Sequence, residues 1–296
     1  MFDVVIVGGG PAGLSAALML GRCRRRVVVC DLGQPRNRRT TAVHGYLTRD
    51  GVAPAEFTEL GRRELPVYGV ELRRTGVTTV RQGEDRYIVS LSNGSQLEAR
   101  FLLIATGVID DLPGISGLED CYGQSVFHCP YCDGWEWRDR RIAVLGRGVA
   151  GVRLALGLKT WSRDVVLCTN GERLDRWRGR LTRNQVGVRT EPIRELDHDG
   201  GLLRAVRFER GDPLERDVVF FTSGQHPQSD LAVSLGCTLT HHGTVKTGTL
   251  SETNVPRVFV AGDASRDAQF VVVAAAEGVK AAVAINKALQ AEELAR

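Results

Sequence analysis

One glycine pattern occurs twice in this chain, and few folds accommodate it. Gly8-x-Gly10-x-x-Gly13 follows the apolar run Phe2 to Val7 and opens the helical run Leu14 to Gly21. Gly146-x-Gly148-x-x-Gly151 follows the run Arg141 to Leu145 and opens Val152 to Trp161, at an offset of 138 residues. In such a unit the first glycine permits the tight turn and the second lets a pyrophosphate approach the backbone. The third lets helix and strand pack closely. The helix N-terminus adds a positive partial charge aimed at an anion. The repeat therefore predicts an α/β chain with two Rossmann-like dinucleotide-binding domains.

The second strand of each unit refines this. Val27 to Cys30 is closed by Asp31, 18 residues beyond Gly13, where an acid accepts hydrogen bonds from ribose hydroxyls. In the second unit Val165 to Cys168 is followed instead by Thr169-Asn170-Gly171. That stretch offers neither an acid for a free ribose nor arginines for a 2′-phosphate. Either the second domain binds a dinucleotide weakly, or its fold persists without that role.

Between the units, the Pro- and Arg-rich stretch 34–41 is expected to be irregular, and Ala53 to Leu65 helical. Val77 to Arg100 alternates around an Asn93-Gly94 hairpin turn, and Phe101 to Ala105 is a buried strand ending in Ala105-Thr106-Gly107. Late in the chain, Val258 to Ala261 leads into Gly262-Asp263, and Gln269 to Ala291 forms a long Ala/Val-rich helix. This order predicts that the second domain is inserted in the first. Residues 1–112 and 242–296 form one domain and 113–241 the other, with crossings at Pro113-Gly114 and His241-His242-Gly243.

Composition narrows the function. With 296 residues, 43% apolar content and a net charge of +4, the chain is long enough for two cores and is not disordered. No apolar run reaches the roughly 18 residues of a membrane span, and Val4 to Val7 enters the glycines without the flanks of a signal peptide. A cytoplasmic protein with no membrane role is expected. Only four of the 39 basic residues are lysine, but the arginines are scattered and balanced by 35 acids. They form no basic stripe, so a nucleic-acid partner is not expected.

Seven cysteines are an odd number for a disulfide framework, and one pair stands out: Cys129-Pro-Tyr-Cys132, followed by Asp133-Gly134. A zinc site needs a second ligand pair, which is lacking. A glutaredoxin module shares the tetrapeptide but needs a compact domain of its own, whereas here the flanks are dinucleotide units. A reversible redox disulfide beside a flavin requires two thiols close together, one of them deprotonated. Asp133 is placed to move the proton of a leaving thiolate, or else to cap a helix.

These segments together (GGGPAGLSAAL at 8–18, ATG at 105–107, CPYCDG at 129–134, the second glycine motif and AGD at 261–263) resemble the bacterial-type thioredoxin reductase family of FAD-dependent disulfide oxidoreductases almost end to end. The resemblance implies FAD bound by the first and last segments. Gly8, Gly10, Pro11, Ala12 and Gly13 would meet the pyrophosphate, Asp31 the adenosine ribose, and Gly262 and Asp263 the ribityl–phosphate region. Thr106 and Gly107 complete the cradle, with Gln269-Phe270 standing where the family has Arg-Gln. It further implies that Cys132 faces the flavin, that Cys129 exchanges with the thiol substrate, and that the protein is a homodimer.

The chain also departs from the family. The two glutamates and the His-Arg-Arg that hold NADPH are replaced by Arg153-Leu154 and Thr169-Asn170-Gly171, and a further family arginine falls on Asp175. Arg173 or Arg176 could reach a 2′-phosphate only from a different turn. CPYC with a following Trp-Glu-Trp resembles a side branch that includes dithiol oxidases of gliotoxin-like and holomycin-like natural products. The expectation is an enzyme passing electrons between a dithiol or disulfide, the Cys129/Cys132 pair and FAD, with NADPH an inefficient donor. The substrate is a small dithiol or disulfide, or a thioredoxin-like protein. The alternatives are an NADPH-dependent thioredoxin reductase and a non-catalytic FAD-binding sensor.

Overall fold

A computed structural model describes residues 1–222, 224–265 and 268–295. They form two compact units: residues 1–38, 45–109 and 225–296, and residues 39–44 and 110–224.

The first unit is built on a parallel sheet in which Phe2–Val7 lies between Val27–Cys30 and Gln96–Ile104. Glu71–Arg73 extends it on one side. The long strand Gln96–Ile104 is forked at its outer edge. Its first half pairs antiparallel with Tyr87–Leu91, and its second half pairs parallel with Val258–Val260. Both faces of the sheet are covered, which is why the central strands are continuous apolar runs rather than alternating ones. Val4, Ile6, Val27, Val29 and Leu103 face the helices Pro11–Arg22 and Val271–Leu294. Val5, Val28, Leu102 and Ile104 face Val80, Tyr87 and Val89 of the antiparallel ribbon.

The second unit repeats this plan. Ile142–Leu145 lies between Val165–Cys168 and Val218–Phe221, with Val186–Arg189 and Val126–Phe127 at the edges. Val4 pairs with Val27 and Ile142 with Val165, so the 138-residue offset is kept in the pairing register as well as in the glycines. An antiparallel ribbon, Ile193–Asp199 with Leu202–Phe208, covers one face, and the helix Gly148–Leu158 covers the other.

The chain returns to the first unit at Gln225, well before the crossing expected at 241–242. The reason is burial: Leu231, Ala232 and Cys237 pack with Val5, Val28 and Leu102. His241-His242-Gly243 is a turn within this unit, with Gly243 at φ +81° and the Thr240 and Thr244 hydroxyls hydrogen-bonded across it. The first crossing lies at 109–110, close to the expected one, and Arg39–His44 packs with the second unit. The stretch 34–41, expected to be irregular, contains a 3-10 turn at Arg36–Arg39. Among the described residues no helix is long and apolar enough to cross a membrane.

The two helices of the first unit meet through small side chains. Ala12, Ala16 and Ala17 share a cluster with Ala274, Ala281 and Ala282. Closest is Gly278, where a Cβ would stand 2.0 Å from the Ala12 carbonyl oxygen. Backbone, not a yielding side chain, is in the way. Gly278→Val is therefore expected to destabilise the first unit by at least about 1–3 kcal/mol through overpacking. Thermal denaturation followed by circular dichroism checks this; an unchanged Tm would contradict it.

Candidate functional site

The first glycine turn is held by backbone contacts. Gly8 has φ +105°, and a Cβ there would stand 2.4 Å from the Ala105 carbonyl oxygen and 3.2 Å from Thr106 Cα. At Gly13 a Cβ would stand 1.9 Å from the Gly8 carbonyl oxygen. Strand, turn and helix thus close on one another where side chains are missing. At Gly10, the N-cap of the helix, the position of a Cβ is open: nothing lies within 4 Å. Pro11 occupies the first helical position, where a missing N–H costs nothing and φ is already set. The first helical N–H groups have no intrahelical partner, which leaves them to a ligand at this turn.

Around this turn the unit gathers the other sequence-predicted residues. Asp31 lies against Gly9, where a Cβ would stand 2.7 Å from its carboxylate, and Arg62 Nη2 donates to Asp31 Oδ2 at 2.5 Å. Gly262, at φ +80°, would bring a Cβ 3.1 Å from that of Ala12. Its N–H donates to Oε2 of Glu277, a carboxylate buried in the long helix. Arg36 Nη1 donates to both Asp263 Oδ2 at 3.0 Å and Gln269 Oε1 at 2.6 Å, so one guanidinium ties those two residues together. Gln269-Phe270 leads straight into the helix Val271–Leu294, with Phe270 as its N-cap. Gly107, at φ +73°, accepts from the Gln228 N–H. An open anion seat at a helix N-terminus, with an acid beside it, fits the FAD that the sequence implies. Arg36, Arg62 and Glu277 were not singled out in the sequence, because each acts through a partner distant along the chain.

The redox pair lies in the second unit. Cys129 and Cys132 form a disulfide with Cα atoms 5.3 Å apart. Cys129 is the N-cap of the short helix Pro130–Asp133, and its Sγ accepts the Cys132 N–H at 3.2 Å. Asp133 is the last residue of this helix, so the capping role considered for it belongs to Cys129 instead. Burial, reinforced by the Glu136 carboxylate, pushes the Asp133 carboxyl up to about 7. Gly134 is required here, since a Cβ would stand 2.4 Å from the Pro130 carbonyl oxygen and 2.9 Å from the Trp161 ring. Tyr131 and Trp135 are the exposed aromatic side chains among the described residues, at 77% and 64%. Every other described phenylalanine, tyrosine and tryptophan is at least half-buried, so exposed aromatic surface is confined to the redox motif and its flank.

The second glycine turn repeats the close packing. A Cβ on Gly151 would stand 2.7 Å from the Gly146 carbonyl oxygen. The end of the next strand is turned inward. Thr169 is fully buried and its hydroxyl donates to the Glu172 carbonyl; Asn170 Oδ1 accepts the Ile193 N–H. Gly148, at φ +53°, donates its N–H to Glu172 Oε2 at 3.0 Å. Beyond lies a cavity of about 360 Å3 lined by Arg173, Leu174, Asp175, Arg178, Leu181, Val188 and Thr190. Of the two arginines considered for a 2′-phosphate, Arg173 lines this cavity and pairs with Asp175 at 3.5 Å, while Arg176 lies over the Trp177 ring.

Known proteins agree with these two units. Residues 2–278 match the pyridine nucleotide-disulphide oxidoreductase family. A probable thioredoxin reductase of Arthroderma benhamiae is 30% identical, over 98% of this chain and 81% of its own length. The crystal structure of HlmI has a TM-score of 0.95 at 39% identity, covering 99% of this chain and 94% of that one. A putative thioredoxin reductase from Bacillus anthracis also has a TM-score of 0.95, at 33% identity, covering 99% of this chain and all of that one. The chain therefore belongs to the pyridine nucleotide-disulphide oxidoreductases, as an FAD-dependent disulfide oxidoreductase of the thioredoxin reductase type.

Proposed function

We propose that this protein oxidises a dithiol to a disulfide through Cys129 and Cys132, with FAD as the electron carrier and NADPH a poor donor. The observation that carries this reading is the Cys129–Cys132 disulfide with Asp133, whose carboxyl titrates at about 7, as the next residue. A non-catalytic sensor has no use for that combination. FAD binding rests on the open seat at Gly10, with Gly8, Pro11, Ala12, Gly13, Asp31, Thr106, Gly107, Gly262, Asp263, Gln269 and Phe270 around it.

The residues divide the chemistry as follows. A substrate thiolate attacks Cys129 Sγ; an S–S bond forms there as the Cys129–Cys132 bond breaks, and Cys132 leaves with the electron pair. Asp133, protonated below about pH 7, gives the proton that the leaving sulfur takes. The second substrate thiol then attacks the substrate sulfur of the mixed disulfide, closing the product disulfide and releasing Cys129. The Cys132 N–H held on Cys129 Sγ favours negative charge there, which suits Cys129 as the exchanging cysteine. FAD, when bound, supplies the reversible two-electron chemistry that returns the pair to the disulfide, with oxygen or another acceptor taking the electrons. The exposed rings of Tyr131 and Trp135 give an apolar dithiol a surface to lie on.

The direction is argued from the second unit. A 2′-phosphate is gripped by arginines through charge-assisted bonds worth about 1.5–3 kcal/mol each. The side chains of Thr169 and Asn170 are engaged internally, and Gly171 has none. Arg173 and Arg178 at the cavity are what favour the second reading, an NADPH-dependent reductase acting on a thioredoxin-like protein. The cytoplasmic location and homodimer expected from the sequence belong to either reading.

Two measurements check these roles. Given the disulfide form of the substrate, whose S–S bond the Cys129 thiolate opens while the other sulfur leaves as a thiol, Cys132→Ser should accumulate a mixed disulfide on Cys129, seen as a mass adduct removed by reductant, whereas Cys129→Ser should trap none; the reverse pattern would exchange the two roles. For Asp133, the raised carboxyl carries its proton in the folded protein up to about pH 7, so proton donation fades as pH rises through that value. Dithiol-driven reduction should show that break in wild type and lose it in Asp133→Asn, with a rate lower by about 10²–10⁴-fold. Because the raised carboxyl favours folding below its unfolded pKa and loses that advantage as pH rises through 7, Asp133→Asn should also gain Tm relative to wild type at pH 8 but not at pH 4. Identical pH profiles would remove Asp133 from the mechanism.

A further inference from the structure

We propose that Glu172 closes the second dinucleotide site, its carboxylate standing where a pyrophosphate would bind. This deepens the reading above and rests on it, naming the residue that makes pyridine nucleotides poor partners.

The two glycine turns share a fold and differ at the seat. Gly10 faces open space, with nothing within 4 Å of a Cβ position. At Gly148, its counterpart 138 residues on, the N–H is already donated to Glu172 Oε2 at 3.0 Å, and Oε1 lies 3.9 Å from a Cβ position. The middle glycine of such a motif is where a pyrophosphate approaches the backbone. The helix Gly148–Leu158 has no acid in its first turn and no side-chain cap at Arg147, so Glu172 brings negative charge to an otherwise uncompensated N-terminus. The residue at the matching position of the first repeat is Gln34, which carries no charge.

The carboxylate is presented by a tethered turn. The Thr169 hydroxyl donates to the Glu172 carbonyl, Gly171 N–H to the Thr190 carbonyl, and Arg147 Nη2 to the Asn170 carbonyl at 2.9 Å, while Asn170 Oδ1 accepts from Ile193. A pyrophosphate would have to take the same N–H from a group of its own charge and pull this turn apart. The residues present do not fit a dinucleotide. The consequence is separable from the missing arginines. Lost arginines penalise only the 2′-phosphate of NADPH, whereas Glu172 opposes the pyrophosphate that NADH and NADPH share.

Isothermal titration of the FAD-loaded protein with NADH and with NADPH tests this, flavin absorbance reporting that each variant is intact. Wild type should bind both weakly. Glu172→Ala should tighten both by about tenfold or more, a change of about 1.4 kcal/mol. Glu172→Gln, which keeps the length and removes the charge, should move both in the same direction. Weak wild-type binding that neither substitution improves, or improvement for NADPH alone, overturns the role of Glu172 and leaves the proposed function standing. Tight wild-type binding of NADPH that reduces the flavin overturns the proposed function itself.

Discussion

The contact between the third glycine of each motif and the first is the constraint on which the rest of this molecule depends. A Cβ at Gly13 would stand 1.9 Å from the Gly8 carbonyl, and one at Gly151 would stand 2.7 Å from the Gly146 carbonyl. Neither gap admits an atom, so each helix starts directly over the end of its strand with its N-terminus aimed outward. That placement turns a backbone turn into an anion seat. The same exclusion recurs between helices at Gly278 and Ala12, which fixes the long C-terminal helix and, through the buried Glu277 carboxylate, the Gly262-Asp263 turn.

Two copies of one turn then have opposite fates. In the first unit the seat at Gly10 stays open, and Asp31, Asp263 and Gln269 are steadied by the guanidinium groups of Arg62 and Arg36. In the second unit the fold is preserved to the register of its strands, while the side chains of Thr169 and Asn170 are engaged in internal hydrogen bonds. What that unit retains is the redox pair and, next in the chain, a carboxyl that burial pushes up to about 7.

The fold was largely legible because its signals are local. Glycine spacing, apolar runs and the Asn93-Gly94 turn each act within a few residues, and the 138-residue repeat exposed the second unit. The return of the chain at Gln225 was not legible: the segment holding Leu231 and Ala232 is a four-residue helix among loops, with no periodicity to show that it belongs to the first core. At the sites, cysteines and glycines could be read because spacing alone defines them. Arg36, Arg62, Glu277 and Glu172 could not, since each acts on partners 15 to 233 positions away, brought near only by folding. Glu172 did leave a trace in the sequence, as an acid in the second repeat where the first has Gln34.

The central claim is that electrons enter this flavoprotein from thiols through the cysteine pair. Anaerobic titration of the FAD-loaded protein with a dithiol, following the visible flavin absorbance, tests it most directly. The account predicts that the dithiol bleaches the flavin in wild type, that oxygen restores the colour, and that the protein lacking both Cys129 and Cys132 stays yellow. Bleaching that survives loss of both cysteines, or a wild-type flavin that ignores the dithiol and is bleached by NADPH, would contradict it.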